Sequence, residues 1–167
     1  NKYDLKCIVL TRNIYDTTIS ILDHLNKKSV KQGTLEKFGF NHSHVIFPKI
    51  FFELSSAEKI NLIIKIALPY YINFGMSWYL YQEKLNRKPY WITYDDFFEE
   101  EQKSFDKILN HFNIIKTKKF DVNIKNPKTR FNVGTSGRGK KLLNNKQIKL
   151  IDDLIHPYKK FLKGVFF

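Results

Sequence analysis

The sequence predicts an α/β domain in which a mostly parallel sheet is flanked by helices, and two stretches carry that expectation. Cys7-Ile8-Val9-Leu10 is a short apolar run with the length and β-branched content of a buried strand. Ile14, Thr18, Ile19, Leu22 and Leu25 then recur at helical spacing, so a strand runs directly into a helix. Tyr90-Trp91-Ile92-Thr93-Tyr94 has the composition of a second short strand and ends in Asp95-Asp96. Arg12, Asn13 and Asp16 sit at the first strand-to-helix turn. Open α/β sheets bind ligands in the crevice beyond the carboxyl ends of their strands, so Arg12 is expected to face a ligand.

A chain of 167 residues fits a single domain, taken here as residues 1–167, with room for a sizeable core. The 29 Lys and Arg against 16 Asp and Glu leave a net charge of +13, which points to an anionic partner. Charge alone does not separate nucleic acid, a phosphorylated nucleotide and an acidic membrane face. The single cysteine, Cys7, excludes an internal disulfide; its apolar neighbours predict a buried thiol and a reducing, cytoplasmic compartment. Ile60 to Leu80 is interrupted by Asn61, Lys65, Pro69, Asn73 and Gly75 and does not read as a membrane span.

In chain order, Ser29 to Ser43 is polar, contains Gly33 and Gly39, and reads as a loop. Its His42 and the following His44 are too isolated to predict a metal site. Ser55-Ser56-Ala57-Glu58 is a capping-box pattern that starts a helix to about Ala67. Pro69 suits the first turn of the next helix, Tyr70 to Leu85, whose Ile72, Met76, Trp78, Tyr79 and Leu80 are expected mostly in the core. Phe105, Ile108, Leu109 and Phe112 predict an amphipathic helix from Glu99 to Phe112, with Glu99, Glu100 and Glu101 as partners of its dipole. Asp95 and Asp96, adjacent on a strand, would point to opposite faces. Asn144 or Asn145 caps a last helix through Ile148, Ile151, Leu154 and Ile155, which Pro157 bends or ends.

Three of the seven glycines fall in Thr129 to Lys141, together with Arg130, Arg138, Lys140 and Lys141. Glycine lets backbone amides approach an oxyanion closely, so phosphate binding is the natural expectation here. Gly134 to Lys140 also satisfies G-x-x-x-x-G-K, but the next residue is Lys141, where a P-loop needs Ser or Thr for magnesium. Only 26 residues follow Lys141, too few for the strands and acidic motif of a nucleotide hydrolase.

Together these stretches resemble the sulfotransferases that use 3′-phosphoadenosine 5′-phosphosulfate as donor. Arg12, Asn13, Asp16 and Ser20 match the family's Arg-Asp/Asn-Pro-x-Asp pattern and the serine eight residues after the arginine, with Ile14 in place of proline. Tyr94 takes the place of the tyrosine at the adenine end of the donor, and Gly134 and Gly137 match the Gly-x-x-Gly before the last helix. The Arg-Lys often found before that glycine is here Asn132-Val133, so Arg130 or Arg138 would supply the phosphate's cationic partner. The resemblance implies a three-layer, P-loop-like fold and transfer of a sulfuryl group to a hydroxyl or amine acceptor without a metal.

It further implies that Arg12 and Ser20 hold the 3′-phosphate while Gly134, Ser136, Gly137 and Arg138 close over it. The family's phosphosulfate-binding loop and catalytic histidine normally precede the arginine and do not fit into Asn1 to Leu10. The chain is therefore expected to be the C-terminal portion of such an enzyme, incomplete for catalysis by itself. The alternative from composition is a non-catalytic basic module binding nucleic acid or another polyanion.

Overall fold

The computed structural model describes residues 6–26, 40–42, 45–85, 88–115, 135–164 and 166. Its organising element is α1 (Ile14–Leu25), which follows strand β1 (Ile8–Thr11) after two residues. Asn13 caps it, accepting the Tyr15 amide on its side chain, and the free Ile14 amide donates to the Phe166 carbonyl near the chain's end. Eight of its twelve residues are buried because it is packed on two sides. Ile14, Tyr15 and Ile19 join a cluster with Ile60, Leu68 and Ile151, while Ile21 and Leu25 meet Val45, Phe47, Phe51 and Ile63.

β1 pairs with β4 (Tyr90–Thr93) in parallel, in a register that sets Ile8 against Tyr90 and Thr11 against Thr93. This places the chain in the α/β class. The register also brings the carboxyl ends of both strands level. β1 is buried on one side only: Val9 and Thr11 are covered, whereas Leu10 is 55% exposed, so the expected fully buried strand is half-buried. Cys7 is likewise half-exposed rather than enclosed.

Phe40–His42 and Val45–Phe47 form an antiparallel pair, β2 and β3. The polar sequence around Asn41 reads as loop because a short hairpin strand need not alternate apolar residues. The rest of that predicted loop, residues 29–39 and 43, lies outside the described residues, as do His44 and residues 116–134.

The capping box at Ser55 is present, and α2 runs Ser56–Ile66. α3 (Leu68–Leu85) follows with Pro69 in its first turn, where a missing amide hydrogen is harmless. Its aromatics are less buried than expected. Ile72 is enclosed, but Phe74 and Leu80 are exposed, and Phe74, Trp78 and Tyr81 stack edge to face.

Tyr94 is not the last strand residue but the first of a short helix, α4 (Tyr94–Glu99), capped by Thr93. Asp95 and Asp96 therefore lie in a helical first turn. The predicted single helix from Glu99 is interrupted at Glu100 (φ −133°, ψ 59°) before α5 (Glu101–His111), so only Glu101 of the three glutamates begins a helix.

At the C-terminal side, Gly137 caps the five-residue α6 (Arg138–Leu142). Asn144 and Gln147 form a capping box for α7 (Asn145–Ile155), and a 3₁₀ turn with Pro157 leads into α8 (Lys159–Leu162). Gln147, almost fully buried, also donates to the Ala57 carbonyl at 3.2 Å, tying α7 to α2. Among the described residues, no helix is long and apolar enough to cross a membrane.

Candidate functional site

The level carboxyl ends of β1 and β4 place Arg12 and Tyr94, each the first residue past its strand, side by side. The Arg12 guanidinium lies 4.2 Å from the centre of the Tyr94 ring, a cation–π distance. Burial holds the Tyr94 phenol above its ordinary pKa despite the opposing pull of Arg12, so it is neutral at physiological pH. One Nη of Arg12 reaches the Thr135 carbonyl at 3.5 Å, a long contact. Its Nε is buried and has no hydrogen-bond partner among the described residues, and the same holds for the neighbouring Thr11 Oγ1.

Thr11 and Arg12 line a cleft of about 320 Å³ together with Leu10, Tyr70, Tyr71, Phe74, Tyr94 and Phe166. An apolar cleft with a few convergent polar groups at one end is the usual form of a small-molecule site. Sequence patterns pointed to Arg12 and Tyr94, and the resemblance implied that aromatics of the Tyr70 to Trp78 helix could line an acceptor pocket; Thr11, Leu10 and Phe166 were not anticipated. Phe166 comes from the far end of the chain, its ring packed against Gly75 of α3 and its backbone carbonyl accepting from the Ile14 amide.

The Gly-rich stretch reaches the same place from the far end of the chain. Ser136 donates to the Asp95 carboxylate, one residue beyond Tyr94. Gly137 donates its backbone N–H to Asp16 at 2.8 Å, and Gly139 donates to the other oxygen of the same carboxylate. Gly139 has no room for a side chain, since an added Cβ would stand 2.5 Å from the Tyr15 carbonyl oxygen and 2.6 Å from the Asp16 nitrogen. Arg138 forms an ion pair with Asp23 at 2.9 Å.

These contacts bring the two stretches together. The amides of Gly137 and Gly139 face an internal carboxylate instead of presenting themselves to a phosphate. Arg138 is paired with Asp23. The Ile14 and Tyr15 amides at the start of α1 are likewise taken, by Phe166 and Asn13.

Ser20 is half-buried on α1. It lies four residues after Asp16 and three before Asp23, hence on the face that carries both carboxylates toward α6. Arg130 and Gly134 lie outside the described residues. Among the described residues no group of three or more His, Cys, Asp or Glu gathers as a metal site would require. No family model matches the chain, and neither curated proteins nor solved structures include a match to it.

Proposed function

We propose that this chain forms the 3′-phosphate and adenosine half of a sulfotransferase donor site. In this reading a sulfuryl group moves from 3′-phosphoadenosine 5′-phosphosulfate to a hydroxyl or amine acceptor. The observation that carries the reading is Arg12 at the carboxyl ends of two in-register parallel strands, lining an aromatic cleft. Such a cleft complements a planar base attached to a phosphate. Arg12 would hold the 3′-phosphate through charge-assisted hydrogen bonds, with Ser20 as the hydroxyl donor that completes the motif. Tyr94 would present its ring to the adenosine side, and Ser136 would close the turn above.

Transfer itself is a displacement at sulfur: the acceptor's oxygen or nitrogen forms the new bond while the bond to the departing bisphosphate breaks. These residues contribute position and charge, in the way that phosphoryl transfer is catalysed. A three-layer sheet and a cytoplasmic setting belong to the same reading.

The test is calorimetric titration with adenosine 3′,5′-bisphosphate and its 2′,5′ isomer at two salt concentrations. The donor-site reading expects the 3′ isomer to be preferred, with Arg12→Ala weakening it by more than about ten-fold because a bound phosphate loses its charge partner. Equal affinity for both isomers, a steep salt slope and indifference to Arg12→Ala would instead mark a basic polyanion-binding module spread over many lysines.

A further inference from the structure

The structure assigns Asp16 a positioning role: its buried carboxylate takes the place of a bound anion beneath the Gly137 and Gly139 amides and so fixes the turn that roofs Arg12. This deepens the donor-site reading and rests on it. Asp16 is only 2% exposed, and a buried carboxylate is tolerated only when its charge is met by strong donors. Here each oxygen receives a different backbone N–H, one from Gly137 and one from Gly139.

Gly137 is left-handed (φ 74°) and the residues after it are helical, which is the backbone form of an anion-binding nest. Glycine at 139 then lets the nest descend onto the backbone of Tyr15 and Asp16. The concavity is real, and its anion comes from the protein.

What this positioning serves lies just upstream in the same turn. Thr135 and Ser136 cross the two strand ends, one meeting Arg12 and the other Asp95. Asp16 stands one helical turn from Arg12, on the rigid start of α1, so the carboxylate sets the spacing between the guanidinium and the residues above it. Asp16 touches no ligand in this scheme. It acts by holding Thr135 and Ser136 beside Arg12, so that they border the guanidinium a 3′-phosphate would meet.

The experiment uses the 167-residue chain and compares binding of adenosine 3′,5′-bisphosphate with that of adenosine 5′-monophosphate. Asp16→Asn keeps one acceptor oxygen and sets an amide donor against an N–H in place of the other. It is expected to lower the preference for the bisphosphate by at least about ten-fold while leaving 5′-monophosphate affinity within about two-fold. Asp23→Ala, which loosens the same α1–α6 contact without touching the nest, should keep the preference. A merely structural Asp16 would weaken both nucleotides equally in Asp16→Asn, and that result overturns the assignment.

Amide exchange on the wild-type chain decides the matter even where Asp16→Asn fails to fold. Gly137 and Gly139 should be protected before any nucleotide is added and gain less than about two-fold on its addition. A large gain would mean that the ligand's phosphate, not Asp16, is their partner. Should the wild-type chain bind neither nucleotide, the donor-site reading fails, whereas full protection of the two amides would still uphold the Asp16 nest.

Discussion

Replacing Gly139 by alanine drives a methyl group into backbone that has no rotamer to escape through. The new Cβ would stand 2.5 Å from the Tyr15 carbonyl oxygen and 2.6 Å from the Asp16 nitrogen, and it also meets the Tyr15 carbonyl carbon. Overpacking of this kind costs about 1–3 kcal/mol. If α6 lifts to relieve it, a hydrogen bond to the buried Asp16 carboxylate is lost, worth about 1.5–3 kcal/mol more.

The sum, about 2.5–6 kcal/mol, is a large share of the roughly 5–15 kcal/mol that holds a domain folded. Gly137→Ala is the internal control: its φ of 74° strains alanine, yet an added Cβ meets nothing within 4 Å, so about 1–2 kcal/mol is expected. Urea denaturation with shared slope m reads both as midpoint shifts. A Gly139→Ala loss within about 0.5 kcal/mol of the Gly137→Ala loss would refute the close approach of α6 to α1.

Two further predictions concern the scaffold. The Tyr15 phenol is pushed up to about 12 by burial and by its hydrogen bond to Asp152 at 2.8 Å. The folded chain thus holds that proton more tightly than the unfolded one, so its contribution is complete below pH 10 and is lost as the pH rises to about 12. Tyr15→Phe should flatten the fall in stability across that window, and parallel curves for the two proteins would contradict it. Ser55→Ala removes the hydroxyl that accepts the Glu58 amide and should destabilise α2's start by about 1 kcal/mol in thermal unfolding, with no change implying that water replaces the cap equally well.

What could be read from the sequence was what side chains do to their own neighbourhood. Ser55 with Glu58, and Asn144 with Gln147, announce helix starts because each pair satisfies amides three residues apart. The strand-to-helix turn at Arg12 is equally local. The contacts that build the site are not. Asp16 reads from the sequence as part of the strand-to-helix turn beside Arg12 and Asn13, and only the fold brings it to Gly137 and Gly139, more than 120 residues away.

A glycine-rich stretch advertises close backbone approach but does not say to what; here it is an aspartate of the same chain. Tyr94 illustrates a smaller ambiguity. Its aromatic ring extends the apparent strand by composition, while Thr93, bonding the Asp96 amide at 3.1 Å, ends that strand and starts a helix. The break at Glu100 is invisible for a related reason, because charged residues with good helix propensity occupy both sides of it.

The claim that matters most is that Arg12 is where a nucleotide's 3′-phosphate sits. A crystal structure of the chain with adenosine 3′,5′-bisphosphate tests it most directly. The prediction is a 3′-phosphate oxygen within hydrogen-bond distance, about 2.7–3.0 Å, of the Arg12 guanidinium, with the Gly137 and Gly139 amides still on Asp16. A phosphate seated instead on Lys140 and Lys141, with Arg12 still lacking a ligand at Nε, would contradict it.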